Sequence, residues 1–116
     1  MKQLTWLVTE CSSGFGEVFV HEILMRGDRV IATGKNASGR LAHLKQLGAA
    51  VLDLDVTASQ AELNFKLQEA IEMYYGIDVL VNNAGQFELG LVEEVRYVIA
   101  VNLRASEFFL SKLADI

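Results

Sequence analysis

The eight residues Thr9 to Gly16 (Thr-Glu-Cys-Ser-Ser-Gly-Phe-Gly) constrain the fold of this chain more than any other stretch. An apolar run, Leu4 to Val8, leads into them, and apolar residues at helical spacing follow directly. A strand, a turn of small residues and a helix start in this order place backbone N–H groups where they can bind a phosphate. Gly14 and Gly16 remove side chains where the backbone has to approach a ligand or the strand beneath it. The same kind of turn also tightens strand–helix junctions that bind nothing.

The rest of the first 81 residues alternates short apolar runs with segments of helical periodicity. Four runs are predicted strands: Leu4–Thr9, Arg29–Thr33, Ala50–Leu54 and Ile77–Val81. Helices are predicted between them: one that ends at Gly27, one marked by Leu41, Leu44 and Leu47, and one that begins at Ser59. Strands that are apolar throughout indicate a parallel sheet covered on both faces. The predicted fold class is therefore α/β, a doubly wound parallel sheet, truncated after about four strands.

The C-terminal segment has a different pattern. Apolar residues at helical spacing predict a helix over much of Leu91 to Ile116, with no fifth strand. Ile77–Val81 would then be an apolar strand with a free edge, and such an edge is a template for association. We therefore expect the chain to behave poorly as a monomer.

Composition limits the class of protein. The 116 residues are one domain at most, 1–116, and 52% of them are hydrophobic, which excludes a disordered chain. A net charge of −5 argues against a nucleic-acid partner. Cys11 is the single cysteine, so an internal disulfide is excluded and a reducing compartment is favoured. Without an apolar stretch long enough for a signal or a membrane span, we expect a cytoplasmic protein with no membrane partner.

Two loops at the predicted carboxyl ends of strands carry charged side chains. The loop after the second strand lacks the carboxylate with which NAD-binding domains usually hold the ribose 2′-OH. Its Lys35 suits a 2′-phosphate instead, and a solvated loop lysine is an equal alternative. Asp53 and Asp55 stand at the end of the third strand. One of them either accepts a hydrogen bond from an adenine amino group or, as Asp55 with Thr57, caps the following turn.

Asn82-Asn83-Ala84-Gly85 follows the fourth predicted strand. Asparagine tolerates unusual backbone angles and offers both donors and acceptors, and Ala84 and Gly85 leave room for a cofactor. Taken by itself, this tetrapeptide is also compatible with a plain turn.

Together these motifs resemble the short-chain dehydrogenases/reductases. That family carries Thr-Gly-x-x-x-Gly-x-Gly after its first strand and Asn-Asn-Ala-Gly after its fourth. Here the two stand as Thr9 to Gly16 and Asn82 to Gly85, with Asp55-Val56 between them at the family's spacing. The resemblance covers residues 1–90, and the chain looks most like the fungal oxidoreductases that have a Cys-Ser-Ser-Gly-Phe-Gly turn.

The resemblance implies a Rossmann domain and hydride transfer between a carbonyl and a secondary alcohol, with NADP favoured over NAD. The positions that it implies at the cofactor are Thr9, Ser12, Ser13, Gly14, Phe15, Gly16, Thr33, Lys35, Asp55, Asn83, Ala84 and Gly85. Asn102 resembles the asparagine of the family's catalytic tetrad. No metal site is implied.

Three features depart from the family's pattern. Glu10 stands where the family has its leading glycine, and the segment from Asn83 to Asn102 is several residues shorter. The family's catalytic Tyr-x-x-x-Lys has no counterpart, because none of the three tyrosines is followed by lysine four positions later. General acid–base help of this kind is worth ~10²–10⁴ in rate. We therefore expect residues 1–116 to be inactive alone.

Three hypotheses follow. The first is an NADP-type Rossmann half of an oxidoreductase, truncated and inactive alone. The second is a non-catalytic interaction protein that pairs with a full-length relative through its C-terminal helix, as a homo- or hetero-oligomer. The third is a piece of a longer enzyme, for which an in-frame Ser…Tyr-x-x-x-Lys would follow Ile116.

Overall fold

The computed structural model describes residues 3–11, 14–55, 57–82 and 97–100. In these residues the elements are, in chain order, β1 (Thr5–Val8), α1 (Phe15–Met25), β2 (Arg29–Gly34), α2 (Ala37–Arg40), α3 (Ala42–Gln46), β3 (Ala50–Asp53), α4 (Gln60–Tyr74), β4 (Val79–Asn82) and β5 (Tyr97–Ala100). The predicted alternation of strands and helices is confirmed, and the class is α/β with a Rossmann-like sheet.

All the strand pairs are parallel, and the strand order is β3-β2-β1-β4-β5. The chain therefore moves outward in one direction from β1 to β3, and α4 then returns it to the other side of β1. The order reverses between β1 and β4. In open sheets of this kind, a crevice for ligands opens at the carboxyl ends of the strands on either side of that reversal.

β5 corrects the prediction for the C-terminal segment. Residues 97–100 form a strand paired with β4, with Val79 opposite Tyr97, so the helix predicted from Leu91 to Ile116 is wrong at these four residues. A short apolar run such as Tyr-Val-Ile-Ala fits a buried strand or a helix turn equally well by periodicity. Within the described residues the sheet therefore has β5 beside the four predicted strands, and the β4 edge that was expected to be free is paired. The other residues of 91–116 lie outside the described residues.

The second predicted helix is two short ones. Leu41 separates α2 from α3 with a φ of −112° and a ψ of 13°, and its side chain is fully buried. Gly39 and the left-handed Asn36 stand in or beside α2, and both weaken a continuous helix. The break lets Leu41 and Leu44 both enter the core.

The core has one cluster on each face of the sheet. Successive side chains of a strand point to opposite faces. On β1, Trp6 and Val8 belong to the cluster under α1, α2 and α3, and Leu7 belongs to the cluster under α4. Because β1 is buried on both faces, its carboxyl end is held firmly where the Thr9–Gly16 turn begins.

The ends of α4 follow the sequence signals. Ser59 Oγ accepts a hydrogen bond of 3.2 Å from the Glu62 backbone N–H and so caps the helix that was predicted to begin at Ser59. Tyr75 adopts the left-handed conformation just after the helix, with its side chain 98% exposed, and Gly76 follows with a φ of 146°. In the described part of the chain, none of the helices has the length and apolar character needed to cross a bilayer.

Candidate functional site

The turn after β1 is tied to both neighbouring strands. The Thr9 N–H donates to the Val81 carbonyl of β4 over 3.2 Å, and the Cys11 N–H donates to the Thr33 carbonyl of β2 over 2.9 Å. These bonds fix the turn above the point where the strand order reverses. The backbone that precedes α1 is therefore positioned by the sheet itself.

Gly16 is required by close packing. A Cβ on this residue would lie 2.2 Å from the Glu10 carbonyl oxygen and 2.7 Å from the Cys11 Cα, both of which are backbone atoms. The first turn of α1 therefore packs directly against the turn that leaves β1, at a distance that only glycine permits. The sequence predicted a close approach to a ligand or to the strand beneath, and the neighbour that the structure shows is the turn itself.

Gly14 leaves the start of α1 open. It is the N-cap residue, with a φ of 62° and a ψ of −134°, and it has no side chain with which to cap the helix. An added Cβ would meet no atom within 4 Å, so the space beside the residue is clear. An uncapped helix start has backbone N–H groups and a partial positive charge to offer to an anion.

Glu10 occupies a strained position in the same turn. Its φ of 56° lies in the left-handed region, and its side chain is exposed. A residue with a Cβ costs on the order of 1–3 kcal/mol in such a conformation. The structure therefore gives a physical reason why glycine suits this position better.

The two predicted threonines use their hydroxyls inside the sheet. Thr33 Oγ1 donates to the Val8 carbonyl over 2.9 Å, and Thr9 Oγ1 donates to the Val81 carbonyl over 3.4 Å. Both side chains are fully buried. In this structure they hold the strand ends together, and a role at the cofactor remains a prediction.

Cys11 is also part of the core. Its side chain is fully buried, and Sγ donates to the Val8 carbonyl over 3.2 Å. The pKa of the thiol is raised to about 12: burial is the main cause, a hydrogen bond from the Thr33 backbone opposes it, and the charge of Glu10 adds to the rise. A thiol in this state is not a nucleophile at neutral pH.

Lys35 and Asp55 face each other at the carboxyl ends of β2 and β3. Lys35 Nζ lies 3.8 Å from Asp55 Oδ1, and its side chain is 54% exposed. The same oxygen accepts hydrogen bonds from the Thr57 N–H (2.9 Å) and the Thr57 hydroxyl (2.6 Å). The hydrogen bonds from Thr57 lower the pKa of Asp55, and Lys35 adds to that effect. Of the two roles considered for Asp55, the structure shows the capping of the turn.

Asp53 is engaged elsewhere. Its carboxylate accepts a hydrogen bond from the Ala37 N–H, at the start of α2. It thereby caps a helix that has Asn36, with a φ of 53°, at its N-cap position. Of the two carboxylates, Asp53 is thus committed to the loop after β2, and Asp55 faces Lys35.

A cavity of about 580 Å³ lies beside these residues. Lys35, Asp53 and Asp55 line it from the strand ends, and Glu62 and Phe65 line it from α4. Lys66 of α4 also lines the cavity, and sequence reasoning missed this α4 wall. The available signal was an aromatic residue on the polar side of an amphipathic helix.

The remaining predicted residues have no described geometry. Ser12, Ser13, Asn83, Ala84, Gly85 and Asn102 lie outside the described residues, and Phe15 is described only as the first residue of α1. β4 ends at Asn82, so the Asn-Asn-Ala-Gly segment starts at the same edge of the sheet as the turn after β1. Within the described ranges, no group of three or more His, Cys, Asp or Glu side chains is arranged to hold a metal ion.

Comparison with known proteins shows which family the chain resembles. The model of the short chain dehydrogenase family matches residues 5–114. A relative from Haemophilus influenzae, named Probable NADP-dependent dehydrogenase, is 42% identical over 78% of this chain and 36% of its own length. Oxidoreductase calM of Penicillium decumbens is 37% identical over 78% of this chain and 31% of its own length.

Solved structures agree with the sequence comparison. A short-chain dehydrogenase from Streptomyces avermitilis superposes with a TM-score of 0.66 and 34% identity, over 72% of this chain and 31% of the other. The 116 residues thus span about a third of the length of these three proteins.

Proposed function

Because this chain belongs to the short-chain dehydrogenase family, we propose that residues 1–116 are a single nicotinamide dinucleotide-binding unit of an NADP-dependent oxidoreductase. Its reaction class is the interconversion of a carbonyl and a secondary alcohol, and a bound NADP(H) supplies the hydride. The observation that carries the proposal is the junction of β1 and α1. There, α1 begins without a side-chain cap, beside the point where the strand order reverses. The first turn of α1 can pack against the turn after β1 only because residue 16 is glycine.

The residues of the chain have separate tasks in this proposal. The backbone from Gly14 into α1 binds the pyrophosphate, with the helix dipole favouring its negative charge. Lys35 and Asp55 lie at the adenosine end, where β2 and β3 finish. Asn83 and the two residues after it follow the last residue of β4 in the sequence, and the resemblance places them at the cofactor.

Lys35 is the basis for NADP over NAD. It is the cation in the loop after β2, where a carboxylate would select the ribose 2′-OH. Asp55 lies 3.8 Å away and partly offsets its charge. The name of the Haemophilus influenzae relative supports the same preference. Because the side chain is half exposed, we expect its contribution to be about a factor of ten in affinity, or about 1.4 kcal/mol.

Turnover needs more than these residues. Asn102 is the one counterpart of the family's catalytic residues in the 116, and no tyrosine stands four positions before a lysine. We propose that the unit binds NADP(H) but does not reduce carbonyl compounds alone. The single cysteine and the net charge of −5 fit a cytoplasmic protein.

The interaction hypothesis has less support. It assigned the pairing surface to a C-terminal helix, and residues 97–100 within that segment are strand β5. An assembly with a second chain stays a proposal of lower rank, and sedimentation velocity of the purified chain tests it directly.

Titration calorimetry of Lys35→Ala tests the cofactor assignment. We expect NADPH to bind about tenfold more weakly and NADH to change less than twofold. Lys45→Ala is the matched control, because Lys45 is an exposed lysine of α3 that does not line the cavity, and its affinities should equal those of the parent chain. Failure of the parent chain to bind either dinucleotide would refute the binding unit, and equal losses for both would refute the NADP preference.

A reductase assay tests the absence of turnover. NADPH oxidation by the purified chain over a panel of ketones and aldehydes should not exceed the buffer rate. Steady oxidation that Asn102→Ala abolishes would overturn the expectation.

A further inference from the structure

Phe65 is exposed where the pattern of α4 predicts a polar residue. The buried face of this helix consists of Leu63, Leu67 and Ala70. Phe65 follows Leu63 by two positions, which is about 200° around an α-helix. Its side chain is therefore on the outer side and is 67% exposed. A large aromatic side chain held in water gives up the stabilisation that burial would provide.

The exposed ring is a wall of the cavity at the strand ends. Phe65 lines it from α4, and Lys35 and Asp55 line it from the ends of β2 and β3. A volume of about 580 Å³ lies within the usual range for small-molecule sites, roughly 300–1,000 Å³. The cavity thus combines a flat apolar surface with charged groups of both signs. Its cations are Lys35 and Lys66, and its carboxylates are Asp53, Asp55 and Glu62.

The polar groups narrow the choice of occupant. Asp55 is held by Thr57 and faces Lys35, and Asp53 is held by the Ala37 N–H. Of the two lining lysines, Lys66 lies 3.7 Å from Glu69 on α4. Lys35 stands at the strand ends and is 54% exposed, so it is available to an anionic group. A ligand with a planar ring for the aromatic wall and a phosphate for the lysine satisfies both features. The adenosine end of a phosphorylated dinucleotide has this chemistry.

We propose that Phe65 stacks on the adenine ring and contributes to the affinity for the dinucleotide. This inference rests on the proposed function, since it takes the same ligand and the same strand ends. Aromatic side chains bind bases through their π-faces, and removal of one such stack weakens binding about five- to hundredfold. Phe65 would thus contribute to the binding free energy of the dinucleotide independently of the phosphate contacts at α1.

The experiment compares Phe65→Ala, Phe65→Leu and Phe65→Trp with the parent chain, using NADPH and 2′,5′-ADP as probes. We expect Phe65→Ala to weaken both by the same factor, between five- and a hundredfold, because the adenosine half is common to both. Phe65→Leu, which keeps an apolar side chain without a ring, should recover little of the affinity. Phe65→Trp should bind within about threefold of the parent.

Tyr75→Ala is the matched control. Tyr75 follows the same helix, is 98% exposed and does not line the cavity, so its loss should leave both affinities unchanged. Urea unfolding of each variant checks that the fold is kept, since substitutions of exposed residues usually change stability by less than about 0.5 kcal/mol.

The outcomes separate the two proposals. A parent chain that binds both probes, with Phe65→Ala binding them equally well, overturns the stacking assignment and leaves the proposed function standing. Full recovery of affinity by Phe65→Leu also overturns it, because an apolar contact would then suffice. A parent chain that binds neither probe removes the proposed function and this inference together.

Discussion

Trp6 Nε1 donates a hydrogen bond of 2.8 Å to Asp28 Oδ2 and so joins β1 to the residue before β2 inside the core. Trp6 is fully buried, and Asp28 is only 8% exposed. Arg26 Nε lies 2.8 Å from the same oxygen, and Asp28 Oδ1 accepts the Leu4 N–H over 3.0 Å. One carboxylate therefore satisfies donors from the start of β1 and from the end of α1. It orients the strand whose other end carries the candidate site.

Asp28→Asn should destabilise the fold strongly. The amide keeps the size of the side chain but removes the charge and replaces one acceptor oxygen with a donor, which leaves a buried N–H without its acceptor. Hydrogen bonds to charged groups contribute about 1.5–3 kcal/mol, and we expect a loss of about 2–3 kcal/mol. Urea denaturation followed by Trp6 fluorescence measures it.

Asp78→Asn is the control for this prediction. Asp78 Oδ2 accepts the Thr5 N–H over 2.9 Å at the same end of the sheet, and the site is only partly buried. We expect a loss near 1 kcal/mol, because water can replace part of the lost bond. Equal losses for the two variants would show that Asp28 is no more important than any carboxylate at this edge.

Gly16→Ala should disrupt the turn after β1. The added Cβ would lie 2.2 Å from the Glu10 carbonyl oxygen, so either the turn or the first turn of α1 has to move. We expect destabilisation of about 2–4 kcal/mol and loss of measurable NADPH binding. Gly39→Ala is the control, since its Cβ meets nothing within 4 Å in α2. That variant should be unchanged or about 0.5–1 kcal/mol more stable, with parental affinity.

Cys11 should make the chain lose stability at alkaline pH. Burial raises the pKa of its thiol to about 12 in the folded state, whereas an unfolded thiol has a pKa near 8.5. Between these two values the unfolded chain releases a proton that the folded chain keeps, so the free energy of unfolding falls as the pH rises. We expect Cys11 to account for about 2–3 kcal/mol of loss between pH 8 and pH 10.5.

Cys11→Ala isolates this contribution. Tyrosines and lysines also titrate in the alkaline range, so the difference between the stability–pH curves of the two chains is the quantity to measure. The curve of the variant should be shallower. Parallel curves from pH 8 to pH 10.5 would mean that the folded thiol ionises as easily as the unfolded one.

The fold was predictable where the signal is local. The apolar run of β1, the small-residue turn and the Ser59 cap are each contained in a few neighbouring residues, and the structure has each of them. β5 was not predictable, because a strand of four residues becomes distinguishable from a helix turn only when its partner β4 is known. The break at Leu41 likewise depends on where the core accepts its side chain.

The same division applies to the site. Gly16, Lys35 and Asp55 were each singled out by their place in a motif. The approach of Lys35 to Asp55, at 3.8 Å, was not predicted. Phe65 and the bond between Asp53 and Ala37 were missed. Both depend on how α4 and the loop after β2 lie relative to the strand ends, and that arrangement is set by packing between distant segments.

Glu10 combines two unfavourable features that single substitutions separate. Its backbone has a φ of 56°, and its exposed carboxylate stands in the turn that leads to α1. Two like unit charges about 4 Å apart repel by about 4 kcal/mol at an effective dielectric constant near 20. Because Glu10 is exposed to water, its repulsion of a bound phosphate is smaller than about 4 kcal/mol. We expect it to weaken NADPH binding about tenfold, which corresponds to about 1.4 kcal/mol.

Glu10→Gly should therefore bind NADPH at least tenfold more tightly than the parent chain and unfold at a temperature a few degrees higher, since relief of the backbone strain is worth about 1 kcal/mol. Glu10→Gln keeps the strain but removes the charge, so it should gain most of the affinity and none of the stability. Tyr75→Gly relieves a left-handed φ of 64° far from the turn, so it should gain stability with unchanged affinity. Calorimetric titration and thermal unfolding of the four chains measure both quantities. Equal NADPH affinity for Glu10→Gly, Glu10→Gln and the parent would mean that Glu10 does not face the phosphates, and that the dinucleotide does not lie over this turn.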